Sequence, residues 1–173
     1  MKPTLKHVDP PGRPGVAARV VAALAASRLA RFSSRHVSWK LDPLLLRLTG
    51  GRVASTLVFP TAVLETCGAR SGASRRNAII YFHDGDRVII AASNAGSPRH
   101  PAWYHNLRAH RDVVLGGVPM RATVIKDENE QERLWSLADY VFPAFATYRR
   151  DAARRNRTIP LVQLVAVKPP TAE

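Results

Sequence analysis

Residues 77–82 and 87–92 are two apolar, β-rich runs joined by His83-Asp84-Gly85-Asp86. An Asp-Gly pair between such runs is a strong hairpin signal, because glycine reaches positive φ freely and tight antiparallel turns demand it. The two runs are therefore predicted to pair antiparallel. Neighbouring segments extend the pattern. Residues 62–67 read as a strand that stops at Gly68, and residues 113–115 and 120–125 read as a second hairpin across Gly116-Gly117-Val118-Pro119. Residues 161–167 form a β-rich closing strand. Helices are expected over 102–110, where Pro101 suits a helix start, and from Asp127 through 141. Asp127 and Glu130 form a start signal for the second helix, and Pro143 interrupts it. The sum is an α+β barrel of antiparallel strands with flanking helices, not a doubly wound parallel sheet.

The 173 residues fit one domain. Pro3, Pro10, Gly12 and Pro14 make residues 1–15 an expected flexible tail. Residues 16–40 are rich in helix formers, with Val21, Ala25, Leu29 and Phe32 on one helical face. The barrel domain is placed at 41–168 and a short tail at 169–173. A hydrophobic share of 46% with 23% charged residues excludes a disordered chain and a membrane bundle. Cys67 is the sole cysteine, so neither an internal disulfide nor a cysteine metal cluster can form within one chain. The apolar stretch 20–26 is too short to span a bilayer, and Arg28, Arg31 and Arg35 occupy the place where a signal cleavage site would lie. A cytoplasmic location is the expectation.

Lysine and arginine number 26 against 13 acidic residues, a net charge of +13, which favours an anionic partner. Gly68-Ala69-Arg70-Ser71-Gly72, with Arg75 and Arg76, is either a phosphate cradle or an ordinary exposed turn. It matches neither a Walker loop, a Rossmann fingerprint nor a nucleophile elbow. Pro101-Ala102-Trp103-Tyr104-His105-Asn106-Leu107 opens a helix on which Trp103, Asn106 and Leu107 share a face. That face can flank a planar ring or simply pack the core. His100, His105 and His110, spaced by five, scatter around a helix axis, so no metal site is expected. No catalytic triad can be assembled without arbitrary choice. Arg149, Arg150, Arg154, Arg155 and Arg157 form a basic cluster without a nucleic-acid-binding motif, and nucleic acid is not expected as a partner.

Read together, these pieces resemble the deazaflavin-dependent nitroreductases, also called coenzyme F420-dependent quinone reductases. The resemblance rests on Thr66-Cys67-Gly68-Ala69-Arg70-Ser71-Gly72, Arg75, Asp84-Gly85, Ala92-Ser93-Asn94-Ala95-Gly96 and the Pro101 to Leu107 motif. It continues through Phe142-Pro143-Ala144-Phe145, Tyr148 and Arg157-Thr158-Ile159-Pro160, and covers roughly residues 41–167. It implies a split β-barrel of the kind that binds FMN in pyridoxamine phosphate oxidases. It also implies hydride transfer from reduced F420 to an electron-poor acceptor such as a quinone, enone or nitro compound.

By the resemblance, Arg70, Ser71 and Arg75 would hold the cofactor's phosphate and acidic tail, with Asn77 nearby and Ala69, Gly72 and Arg76 in the same cofactor-binding set. Ile80, Ala91, Ala92, Ser93, Asn94, Ala102, Trp103, Tyr104, His105 and Asn106 would border its ring and linker. Tyr148 and Phe145 would face the acceptor, with Tyr148 or solvent as the proton source. Two residues depart from the pattern: Ala69 stands where arginine is usual, and Ala95 where glycine is usual. FMN is the second cofactor candidate, and a non-catalytic cofactor-binding or membrane-surface module is the alternative function. The protein is expected as a monomer or homodimer, with peripheral contact to an anionic membrane at the inner face of the plasma membrane.

Overall fold

The computed structural model describes residues 5–10 and 59–167. The helix expected at 16–40 and the tail at 169–173 lie outside the described residues. Six strands are present among them: β1 (Thr61–Cys67), β2 (Ser74–Asp84), β3 (Arg87–Ala91), β4 (Asp112–Leu115), β5 (Val118–Val124) and β6 (Leu161–Ala166). Three helices accompany them: α1 (Ala102–Ala109), α2 (Glu128–Val141) and α3 (Ala144–Ala153). The strands close into a barrel in the order β1-β2-β3-β6-β5-β4, every pairing antiparallel. The α+β barrel expectation is met.

Both hairpins are tighter than the sequence pattern implies. Asp84 pairs with Arg87, leaving Gly85 and Asp86 as the loop, and Gly85 takes φ +61°. Leu115 pairs with Val118, so Val118 and Pro119 are strand residues and only Gly116 and Gly117 turn, both at positive φ. Strand β2 begins at Ser74, three residues earlier than expected, because β1 pairs with it as far as Cys67 opposite Ser74. Exposed polar residues there carry no apolar periodicity, so only the ladder reveals the strand. Helix α3 departs from the sequence expectation. Pro143 both ends the preceding helix and occupies the N-cap of the next, so it acts as a start as well as a stop. Asp127 caps α2 as expected, its carboxylate accepting the Glu130 N–H at 2.8 Å.

Alternation along β2 creates two cores. Ile79 and Tyr81 point into the barrel with Leu64, Val88, Ile90, Trp103, Leu107, Leu115 and Leu164. Phe82, with half-buried Ile80, points outward beneath α2 and α3, joining Phe59, Ile89, Leu134, Phe142, Phe145 and Tyr148. An ionic network fastens the β2–β3 turn to α2: Arg133 bridges Asp84 and Glu130, and Arg87 reaches both carboxylates. The Arg133 guanidinium, ahead of Arg87, holds the Glu130 carboxyl down at about 2.

Residues 5–10, expected to be loose, are docked against the barrel. The Val8 N–H donates to His83 Nδ1 at 3.0 Å, its carbonyl accepts the His83 N–H at 2.7 Å, and the Tyr81 hydroxyl donates to the Lys6 carbonyl at 2.9 Å. Leu5 and Val8 pack on the inner core. A proline-rich composition disfavours helices and sheets, yet an extended segment can still satisfy its backbone against a neighbour. Among the described residues, no helix is long and apolar enough to cross a membrane.

Candidate functional site

The turn at 68–73 is closed by the Gly72 N–H on the Gly68 carbonyl (2.8 Å) and the Gly68 N–H on the Ala73 carbonyl (2.9 Å). A Cβ at Gly68 would lie 2.8 Å from Ser71 Oγ and 3.1 Å from the Ala73 carbonyl, so a side chain there would push on the turn. Helix α1 holds this turn through one residue. Asn106, buried, accepts the Ala69 N–H on Oδ1 at 3.0 Å and donates from Nδ2 to Thr66 Oγ1 at 3.1 Å. The arginine-bearing turn and the tryptophan-bearing helix are therefore neighbours, as the cradle reading requires.

Arg70, Ser71 and Arg75 are exposed, and among the described residues neither arginine has a carboxylate partner. Arg76 differs. It pairs with Glu65 at 3.1 Å and, one residue from Arg75, points to the opposite face of the strand. Arg75 lies opposite Thr66, and Asn77 opposite Leu64, which places both on the face covered by α1.

On α1, Ala102 and His105 are exposed, whereas Trp103, Tyr104 and Leu107 are buried in the barrel core. The packing reading accounts for the Trp103 indole, which is only 5% exposed. Tyr104 faces His100, ring centroids 4.9 Å apart.

A second group of residues gathers around the loop at 92–97. Asn94, Ala95 and Gly96 all take positive φ (47°, 49° and 69°). Two of these are not glycine, an arrangement that costs on the order of 1–3 kcal/mol per residue and persists only where neighbours enforce it. The enforcing groups are visible. Arg157, 8% exposed, donates from Nη1 to the carbonyls of Ser93 (3.1 Å) and Ser97 (2.5 Å), from Nη2 to that of Ala92, and from Nε to His100 Nδ1 (3.2 Å). Arg155 Nη1 reaches the Gly96 carbonyl at 3.0 Å, and Asn94 Nδ2 the Arg99 carbonyl at 2.8 Å. Because His100 accepts on Nδ1, its neutral tautomer carries the proton on Nε2. Burial, then the Arg157, His105 and Arg108 cations, push its imidazole below the usual range.

Helix α3 presses on this loop: a side chain at Gly96 would meet the Tyr148 carbonyl at 3.0 Å. Ile80, Ala91, Ala95, Phe145 and Tyr148 all belong to the outer core. Phe145 and Tyr148 are mostly buried, with Phe142 at 5.0 Å and 5.9 Å from their respective rings. The expected site residues thus divide between two faces of the sheet. Arg75, Asn77, Ala92, Trp103 and Tyr104 lie on the α1 side; Arg76, Ile80, Ala91, Phe145 and Tyr148 lie on the α3 side.

The basic cluster at 149–157 is not one patch. Arg149 pairs with Asp139 (2.5 Å) beneath the Trp135 ring, Arg154 pairs with Asp151 (3.6 Å), and Arg157 is turned inward. Sequence reasoning missed the inward role of Arg157, since nothing in Asn156-Arg157-Thr158-Ile159-Pro160 separates a buried guanidinium from an exposed one.

The profile of the F420H(2)-dependent quinone reductase family matches residues 41–166. The chain belongs to this family. It is 32% identical over 146 residues to the F420H(2)-dependent quinone reductase Rv1261c of Mycobacterium tuberculosis (strain ATCC 25618 / H37Rv), spanning 79% of this chain and 97% of that protein. The solved F420-H2 dependent reductase FDR-A superposes with a TM-score of 0.53 at 29% identity, over 61% of this chain and 93% of that one. A solved domain-swapped dimer, 24% identical, shares the fold with a TM-score of 0.55 over 72% of this chain and 96% of its own. In this quinone reductase family member, the donor set fits the family's cofactor. Two arginines without acidic partners among the described residues, and a glycine turn with a free edge at Gly72, suit a phosphate and an acidic tail.

Proposed function

We propose that this protein passes a hydride from reduced coenzyme F420 to a quinone-type acceptor, with enones and nitro compounds as further substrates. Family membership makes it an F420-dependent reductase. The observation that carries the residue-level reading is the Asn106–Ala69 bond, which sets a turn whose arginines have no acidic partner among the described residues beside α1.

When bound, the reduced deazaflavin supplies the hydride. The protein positions. Arg70, Ser71 and Arg75 hold the acidic tail by charge-assisted bonds, and Asn106 keeps the turn that carries them in register. The loop at 92–97, fixed by Arg157, would border the ring. Phe145 and Tyr148 wall the acceptor side, exclude water and give the Tyr148 hydroxyl the role of proton donor. Trp103 serves by supporting the helix from within the core.

The test titrates purified protein with oxidised F420 and follows its fluorescence, then measures oxidation of reduced F420 by menadione. Saturable binding and menadione-dependent oxidation support the reading. Binding of FMN with no affinity for F420 would assign the site to the other cofactor, and F420 binding without turnover would make this a carrier module. Tyr148→Phe should slow turnover about 100-fold and spare F420 affinity.

The acceptor reading extends to location: a +13 chain is drawn to the anionic surface of a membrane, where quinones reside. Pelleting with vesicles containing phosphatidylglycerol, reversed by salt, is the expected result.

A further inference from the structure

Arg157 is a buried cation with no carboxylate beside it among the described residues. Burial alone pushes its guanidinium below the usual range. A charge in that position is a poor device for stability, since an apolar side chain of equal volume would fill the space without desolvating an ion. What compensates it is one loop. The carbonyls of Ala92, Ser93 and Ser97 all turn inward to Arg157, and His100 completes the set. In a trans peptide the C=O and N–H point opposite ways, so the N–H groups of Ser93 and Asn94 face away from Arg157, while Pro98 after Ser97 has none. The same loop holds Asn94 and Ala95 in the left-handed region, which isolated peptides avoid.

We propose that Arg157 is a positioning residue of the reductase: it locks the 92–97 loop in its left-handed form so that the loop backbone meets the deazaflavin already shaped. This rests on the F420 reading above. A planar fork is required for the task, because only guanidinium can span three carbonyls and an imidazole at once. Lysine keeps the charge and loses the span. Arg155 and the Asn94 side chain assist from the open side, through Gly96 and Arg99.

The test compares wild type with Arg157→Lys and Arg157→Met, using three readouts. Hydrogen exchange on cofactor-free protein should rise at least 10-fold in peptides covering 92–99 and stay unchanged across β4 and β5. Affinity for oxidised F420 should fall at least 10-fold in both variants. The KM for menadione should hold constant at saturating F420. Unchanged loop exchange, or unchanged F420 affinity in a wild type that does bind F420, overturns the proposal. Loss of cooperative unfolding in both variants also overturns it, because the residue would then be structural. A wild type that binds no F420 overturns the reductase reading instead, and the two failures are told apart by that single titration.

Discussion

Asn106 and Ala69 are joined across 37 positions of sequence by one hydrogen bond, the Ala69 N–H donating to Asn106 Oδ1 at 3.0 Å. With the second bond to Thr66, a buried amide fixes the approach of α1 to the turn at 68–73. Each such bond contributes about 1 kcal/mol net, and leaving a buried partner unmade costs more. Asn106→Leu should therefore destabilise the fold by about 2 kcal/mol and weaken F420 binding. Asn106→Asp keeps the acceptor for Ala69 and should fall between. A urea titration of the three proteins gives the order; equal midpoints would deny the residue its anchoring role.

Arg70 and Arg75 lack carboxylate partners among the described residues, whereas Arg76 is committed to Glu65. A charge-assisted bond to an anion is worth about 1.5–3 kcal/mol, or about 10–100-fold in affinity. Arg70→Ala and Arg75→Ala should each weaken F420 by that factor and flatten its salt dependence. Arg76→Ala should do little. Equal losses from all three would mean that the turn acts by net charge and not by geometry.

Much of this is legible in the sequence, for a definite reason. Asp84-Gly85 and the Gly116-Gly117 pair each dictate backbone geometry, and Asp127 with Glu130 dictates a helix start, so the barrel's turns and α2 come from local chemistry. Arg70, Ser71 and Asn106 are proposed through a motif, and the Asn106–Ala69 bond makes their segments neighbours. What escapes depends on contacts distant in sequence. The exposed start of β2 exists because β1 pairs with it, Trp103 is core because the barrel closes over it, and Arg157 faces inward because the loop 60 positions earlier offers carbonyls. Residue type alone does not say which way a side chain will point.

Two histidines, buried His83 and part-buried His100, set an acid limit. Burial is the first cause holding both His83 and His100 below their ordinary 6.5; His7 adds to it for His83, and Arg157, His105 and Arg108 for His100. Asp9 and the hydrogen bond with the Val8 backbone pull His83 the other way without overcoming this. A histidine whose folded value is depressed favours the neutral form, so the unfolded chain binds more protons as pH drops. Stability is then full above about 6.5 and is lost as pH falls through that value toward the folded ones. Asp84 and Glu130, held low by Arg133, titrate below this window. Asp139, raised by burial, works in the opposite direction, so variants must carry the test. Melting temperature should fall between about pH 7 and 5, and His83→Gln with His100→Gln should flatten that fall. A slope untouched by both changes would count against the assignment.

Gly96 separates backbone strain from collision. Its φ of +69° resembles the +61° of Gly85, so alanine at either position incurs about 1–2 kcal/mol of conformational penalty. Their surroundings differ. A Cβ at Gly85 meets nothing within 4 Å, whereas at Gly96 it lies 2.9 Å from Asp151 Cβ and 3.0 Å from the Tyr148 carbonyl. Those atoms belong to α3, which cannot yield without moving Phe145 and Tyr148 in the outer core. Gly85→Ala should thus lower stability by about 1–2 kcal/mol and leave reductase kinetics intact. Gly96→Ala should cost about 1–3 kcal/mol more, the range for overpacking. It should also reduce kcat, because the loop and the tyrosine are displaced together. Urea midpoints and menadione kinetics for the two variants decide the matter, and matching losses at both glycines would show that α3 does not brace the loop.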